Sequence, residues 1–263
     1  MTGMQLTVVG CSGSLPGPDG PASCYLVTAP GPAPGGGTRA WRLVLDLGNG
    51  ALGALHRHTD PAAVDAVLLT HLHPDHCIDL VSLDVLVHHR PGPPTGRIPV
   101  HAPAGAAERL GRASGVTGPD DLTDSFDFTD LVDGRRVTVG PFTITPVAVE
   151  HPVESYGFRV EAGGAVLAYT GDTDSCAALA DLMTGADLVL ADCAYVDGRD
   201  AIRGIHLSGS RAARAVAGAG GVRRLLLTHL PPWNDPAVCR AQATAVWPGE
   251  VGVAAPGRTY RVG

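Results

Sequence analysis

Four apolar runs in this chain each lead into a side chain that can bind a metal or move a proton. Val64 to Leu69 runs into Thr70-His71, and Phe142 to Val149 stops just before His151. Ala165 to Tyr169 ends at Thr170-Gly171-Asp172, and Arg224 to Thr228 ends at His229. Short aliphatic runs bounded by turn residues read as buried strands. Side chains at strand ends lie along one rim of a sheet, where loops converge on a cleft. The chain must therefore fold so that four strand ends meet.

The remaining pattern supplies more strands and the helices between them. Leu6 to Val9, Ser23 to Ala29 and Trp41 to Leu47 read as strands, with a Pro/Gly-rich hairpin loop from Pro30 to Thr38. Ile98 to His101, Arg136 to Val139, Tyr156 to Glu161 and Leu188 to Ala191 add four more. Gly50 to His58, Cys77 to His88, Ala104 to Ala113, Cys176 to Met183, Ser208 to Ala219 and Pro236 to Val246 carry helical patterns. The helix from Cys77 is expected to begin at the histidine cluster before it. No repeat of about 20–50 residues occurs, and no linker divides the chain. Residues 1–263 read as one α/β domain, an αββα sandwich of two mixed sheets with helices outside.

The segment His71-Leu72-His73-Pro74-Asp75-His76 packs three imidazoles and a carboxylate into six residues. A chain turning there aims His71 and His73 one way and Asp75 and His76 the other. Imidazole and carboxylate suit zinc and similar borderline ions. With His151, Asp172 and His229 the candidates number seven. That is too many for one tetrahedral ion and right for two if one carboxylate bridges. The other histidines, His56, His58, His88, His89 and His101, read as ordinary surface or core residues. Asp46 and Asp192 also end strands, where each suits either orienting a metal-bound His or capping a helix.

On His71-Leu72-His73-Pro74-Asp75-His76, His151, Gly171-Asp172-Thr173 and His229, the chain resembles the metallo-β-lactamase superfamily. The resemblance implies the αββα fold and two metal ions, zinc first, with manganese or iron as alternatives. It places one ion on His71, His73 and His151, the other on Asp75, His76 and His229, with Asp172 bridging. It also gives Asp75 a catalytic part, orienting the attacking water with Asp172. His206-Leu207-Ser208-Gly209 is similar to an element of the tRNA 3′-processing nuclease branch, whose His serves in phosphodiester cleavage. The competing reading makes His206 a plain helix-start residue with Ser208 as N-cap.

Only twenty residues separate His151 from Asp172, and they read as two plain strands with no room for a basic tRNA-holding arm. Net charge is -7, from 19 basic and 26 acidic side chains, which argues against charge-driven binding of extended nucleic acid. Gly10-Cys11-Ser12-Gly13-Ser14, Gly17-Pro18-Asp19-Gly20-Pro21-Ala22-Ser23 and Leu225 to Trp233 resemble actinobacterial cyclic-nucleotide phosphodiesterases of this fold. That resemblance implies hydrolysis of cyclic AMP or a related cyclic nucleotide to the 5′ monophosphate, by a protein that can dimerise. A ribonuclease acting on RNA 3′ ends and a metal-binding scaffold or sensor without turnover are the competing readings. Ser12, Ser14 and Trp233 are candidates to line the substrate pocket, Trp233 either stacking on a purine or packing in the core. Six cysteines without a C-x-x-C pair read as free thiols, and Met1-Thr2-Gly3-Met4-Gln5-Leu6 has neither a basic leader nor an apolar span. A soluble cytoplasmic protein is expected.

Overall fold

The computed structural model describes residues 3–92, 96–115 and 122–263. Met1 and Thr2, the start of the segment read for a leader, lie outside the described residues. The first sheet contains β1 (Met4–Gly10), β2 (Cys24–Pro32), β3 (Thr38–Leu45), β4 (Ala66–Leu68), β5 (Ile98–Ala102), β6 (Phe126–Asp130) and, from the far end of the chain, β14 (Thr259–Val262). Its order is β14-β1-β2-β3-β4-β5-β6. The second contains β7 (Val137–Val139), β8 (Phe142–Ala148), β9 (Tyr156–Ala162), β10 (Ala165–Tyr169), β11 (Leu188–Asp192), β12 (Arg224–Thr228) and β13 (Glu250–Val253), in reverse order from β13 to β7. Each sheet is mixed: β3 to β6 and β10 to β13 run parallel, and the rest pair antiparallel.

Alternation along each strand sorts the apolar side chains into three layers. Leu43 and Leu45 of β3, Leu188 and Leu190 of β11 and Leu226 of β12 face the space between the sheets, with Phe142 and Phe158. Val44 and Val67 face outward and are covered by α1 (Ala51–Leu55), α3 (Leu80–His89) and α4 (Ala106–Ser114). Val189, Ala191, Leu225 and Leu227 are covered by α5 (Ala178–Met183), α6 (Gly209–Ala219) and α7 (Pro236–Thr244). Strands buried on both faces read as continuous apolar runs, and so the strands preceding His71 and His229 stood out. The αββα expectation holds.

Several expectations about elements need correction. The single helix expected from Cys77 is two helices, a short α2 (Pro74–Cys77) inside the histidine segment and α3 three residues on. Pro74 at the first helical position starts α2 early, because its missing N–H is not needed there. The segment 30–38 is partly strand: Pro30, Gly31 and Pro32 pair with Ala40, Arg39 and Thr38. Among the described residues the other edge of β2 has no pairing beyond Thr28, and prolines fit an edge that makes no ladder bond. The sequence reading also omitted β6, β13 and β14 as strands. Phe126-Asp127-Phe128-Thr129-Asp130 carries two carboxylates, which hide an edge strand from a hydrophobic pattern.

Phe158 is fully buried between the two sheets. Phe158→Ala should destabilise the chain by about 3–5 kcal/mol, read as a lowered urea midpoint with an unchanged slope. A loss under about 1 kcal/mol would mean that the sheets do not pack there as described.

Candidate metal centre

The strand ends meet as expected. Asp46 follows β3 and Thr70-His71 follows β4, while Asp172 follows β10, Asp192 closes β11 and His229 follows β12. His151 lies beyond β8, which runs the same way as β10. Ligands in α/β sheets sit outside the carboxyl ends of strands, and here both sheets offer that end to one cleft.

The seven side chains form two groups. His71 Nε2 lies 2.9 Å from His73 Nδ1, which lies 3.2 Å from His151 Nε2. Nitrogens around one tetrahedral zinc at about 2.0–2.1 Å are spaced by roughly 3.3 Å, so the trio fits a single ion. In the second group His76 Nε2 lies 3.2 Å from Asp172 Oδ1 and 3.5 Å from Asp75 Oδ2. His229 Nε2 lies 3.2 Å from Asp172 Oδ2 and 3.8 Å from Asp75 Oδ2. Asp172 Oδ2 is also 3.8 Å from His71 Nε2, so this carboxylate stands between the groups. His76 Nε2, His229 Nε2 and Asp172 Oδ1 are buried without a hydrogen-bond partner. Unpartnered buried polar atoms are costly, and a cation held by all of them removes that cost. The donor set therefore fits two borderline divalent ions.

The outer nitrogens of four of these rings are engaged. His151 Nδ1 bonds Ile205 O at 2.9 Å, and His229 Nδ1 bonds Ser23 Oγ at 3.1 Å. His71 Nδ1 bonds Thr70 Oγ1 at 3.0 Å, and His76 Nδ1 bonds Asp46 Oδ2 at 2.8 Å. Such partners fix ring orientation and tautomer. Asp46 also accepts from Thr70 N at 2.7 Å and from the Tyr169 hydroxyl at 2.7 Å. It thus orients His76 rather than capping a helix, and Gly50 is the N-cap of α1. Asp192 plays the matching part on the other side, accepting from His206 Nδ1 at 2.9 Å. His206 stacks on His229 with ring centroids 5.4 Å apart. Ser208 is indeed the N-cap of α6, and His206, two residues earlier, faces the cluster.

Electrostatics follow from this burial. Burial, with His76 nearby, holds His71 well below the usual imidazole range, and burial with His151 lowers His73. Neutral imidazole is the form that binds metal. Burial also lowers His229. For Asp172 burial works against the charge, but His229, His76 and His71 outweigh it and hold the carboxyl well below its ordinary value. Burial lowers His206 too, yet Asp192 and Asp172 prevail and push it up to about 9.

Two of the site's backbones are strained. Asp46 and His229 have φ of 58° and 57°, left-handed values uncommon outside glycine. Gly13 packs against the His229 turn so closely that a Cβ would stand 2.2 Å from His229 O. The sequence reading missed Thr70, Ser23 and Tyr169 as supports. Only Thr70, adjacent to His71, had a sequence cue. Ser12 is half-buried and Ser14 exposed. Trp233 is 62% exposed, which overturns core packing for it. His88 and His89 end α3 apart from the cluster, as expected.

A fold and a centre of this kind define a class, hydrolases that work through metal held between two sheets. A family model for the β-lactamase superfamily domain matches residues 42–230. The chain belongs to the metallo-β-lactamase superfamily of metal-dependent hydrolases, on its ribonuclease Z-like branch. It is 44% identical to an uncharacterized protein of Mycobacterium leprae, over 98% of this chain and 89% of that one. It is 30% identical to a ribonuclease Z of Mycobacterium bovis, over 89% of this chain and 88% of that one. The crystal structure of the metallo-β-lactamase fold protein YhfI from Bacillus subtilis superposes with a TM-score of 0.82 at 27% identity, covering 98% of this chain and 99% of that one.

Asp46→Ala would strand Thr70 N, the Tyr169 hydroxyl and His76 Nδ1 in the interior. Breaking a buried charged network costs about 3–5 kcal/mol. We expect a loss of that size in urea unfolding with chelator present, so that metal affinity does not enter. A loss below about 1 kcal/mol would remove Asp46 as the organiser.

Proposed function

We propose that the protein is a two-metal phosphodiesterase acting on a small phosphodiester, a cyclic nucleotide such as cyclic AMP, which it opens to the 5′ monophosphate. His71, His73 and His151 would hold one ion and Asp75, His76 and His229 the other, with Asp172 standing between the two groups. The observation that carries the reading is His206, held by Asp192 at 2.9 Å and stacked over the second group of candidate ligands. A cleft built for metal alone has no need of a further imidazole braced by its own carboxylate.

When bound, paired divalent ions lower the pKa of water and neutralise charge on phosphoryl oxygens. The chain's own residues do the rest. His71, His76, His151 and His229 present inward nitrogens because their outer nitrogens are engaged. Asp75, whose Oδ2 faces both His76 and His229, is placed to accept a proton from the attacking water. His206 gives Nδ1–H to Asp192, so its Nε2 is left to hold the proton that the departing ribose oxygen needs. General acid catalysis of that kind is worth about 10²–10⁴-fold.

A small substrate is favoured by the segment that joins two of the candidate ligands. The segment between His151 and Asp172 is filled by β9 and β10 with a tight turn at Gly163-Gly164, and offers no arm for RNA. The mycobacterial relative named ribonuclease Z supports phosphodiester chemistry and leaves RNA ends as the second reading.

Three measurements test this. His206→Ala should retain two ions per chain by elemental analysis and lose at least about 100-fold in kcat on cyclic AMP; unchanged turnover would take His206 out of the mechanism. His73→Ala should lose metal and activity together, and a full two-ion content would break the ligand assignment. In a parallel assay of cyclic AMP, bis(p-nitrophenyl) phosphate and precursor tRNA, cleavage of tRNA alone would overturn the substrate.

A further inference from the structure

Ser208, two residues after His206, caps α6, and Arg211 is the third residue of that helix. Helical side chains lean toward the N-terminus of their helix, so Arg211 reaches back over the chain that leads into His206. That chain, residues 200–206, is irregular, and no strand ladder pairs its carbonyls. Arg211 supplies the pairing instead. Its Nη1 donates to His206 O at 3.0 Å and its Nη2 to Asp200 O at 3.2 Å. Those carbonyls are the two ends of the stretch, so one guanidinium closes it into an arch.

Asp174 holds the arch from within. It is buried, and its own N donates to Glu150 O at 2.9 Å. Its Oδ2 accepts from Arg203 Nε at 2.6 Å and from Gly204 N at 2.8 Å, in the middle of the arch. Its Oδ1 accepts from Arg211 Nη1 at 3.3 Å. The Arg211 side chain is 11% exposed, so solvent screens this pair little. Arg211 also lies over the Tyr195 ring, 6.0 Å from its centre, and that ring meets His206 edge-on at 5.1 Å.

Two imidazoles of the centre depend on the arch, and they do so unequally. His151 bonds Ile205 O through Nδ1 and turns Nε2 toward His71 and His73, where a bound ion would also hold it. His206 is not among the seven candidate ligands. Asp192 at Nδ1 and the rings around it set its tilt, but its place over the cluster follows its own backbone, and Arg211 grips that backbone.

We propose that Arg211 is a positioning residue for phosphodiester cleavage: by clamping the arch at both ends against Asp174, it sets the His206 ring where Nε2 can meet the leaving oxygen. The proposal rests on the phosphodiesterase reading, with His206 as the acid. It also makes the clamp selective. A ribose alkoxide needs a proton to depart, whereas p-nitrophenolate, a far weaker base, leaves without one.

The test uses the metal-loaded full chain with cyclic AMP and bis(p-nitrophenyl) phosphate. A reacting group displaced by about 1 Å can cost about 100-fold. Arg211→Met, which removes the fork and keeps most of the bulk, should retain two ions per chain by elemental analysis. Its ratio of kcat on cyclic AMP to kcat on bis(p-nitrophenyl) phosphate should fall at least about 10-fold. An unchanged ratio, whether both rates fall together or neither does, would overturn the clamp. Arg211→Lys covers the case in which the first variant misfolds. It keeps the charge opposite Asp174, but one ammonium cannot hold both carbonyls as a planar fork does. The same fall in ratio is expected, and a wild-type ratio in folded Arg211→Lys would overturn the clamp too. Hydrogen exchange read by mass spectrometry needs no turnover. Residues 200–206 should exchange at least about 10-fold faster in Arg211→Met while α6 keeps its protection; unchanged exchange in the arch would sink the proposal. Failure of the parent reading looks different: wild-type protein would then leave both substrates intact, and exchange in the arch would judge the clamp by itself.

Discussion

The carboxylate of Asp46 ties the two halves of this molecule together. It sits at the end of β3 in the first sheet and accepts from the Tyr169 hydroxyl at the end of β10 in the second. The same carboxylate takes Thr70 N and His76 Nδ1. One buried charge therefore fixes the spacing of the sheets, the course of the histidine segment and the rotation of a histidine ring. Charged acceptors bond more strongly than neutral ones, and breaking a fully buried charged network from one side is costly. The left-handed backbone at Asp46 is the cost of aiming the carboxylate inward at the point where the strand stops.

The two sheets contribute unequally and in different ways. The first supplies four candidate ligands from one short segment, whose geometry follows from local turns: His73 extended, then Pro74 opening α2, so that Asp75 and His76 lie in its first turn. The second supplies His151, Asp172 and His229 from three separate strands, each placed by its register in the sheet. Positions set by strand register are hard to shift one at a time, because each strand is held by its neighbours. The cleft is rigid on one side by sequence proximity and on the other by sheet architecture.

This division explains what could be read without coordinates. His71 to His76 is legible because its ligands are adjacent in sequence, and His151, Asp172 and His229 because each closes a run apolar on both faces. His206 was legible only through resemblance, since it follows an irregular loop and no strand points to it. Ser23 and Tyr169 were illegible: hydroxyl residues are common, and nothing local distinguishes the one that meets His229 or Asp46 across more than a hundred residues. The same holds for β14, which reaches back to pair with β1 at the other end of the chain. Boundaries failed where a proline or a carboxylate masked the period, as in β2 and β6.

Charge balance gives the arrangement its logic. Asp46, Asp75, Asp172 and Asp192 are all buried in or beside the cluster. Asp174, also buried, is set apart because Arg203 and Arg211 answer it. No arginine or lysine is paired with the other four among the described residues. Neutral histidines, the form that burial favours at His71, His73 and His229, supply no positive charge. His76 beside Asp46 and His206 beside Asp192 are the imidazoles whose proton affinity these carboxylates raise, and two such partners do not balance four buried carboxylates, an excess that is costly in a protein interior. Two divalent ions would bring four positive charges to the place where the unpartnered atoms converge. The elevated proton affinity of His206 belongs to the same balance, since it draws on Asp192 first and Asp172 second. Metal at Asp172 would weaken the second of these contributions and leave the first, so Asp192 is the carboxylate that keeps His206 ready to hold a proton.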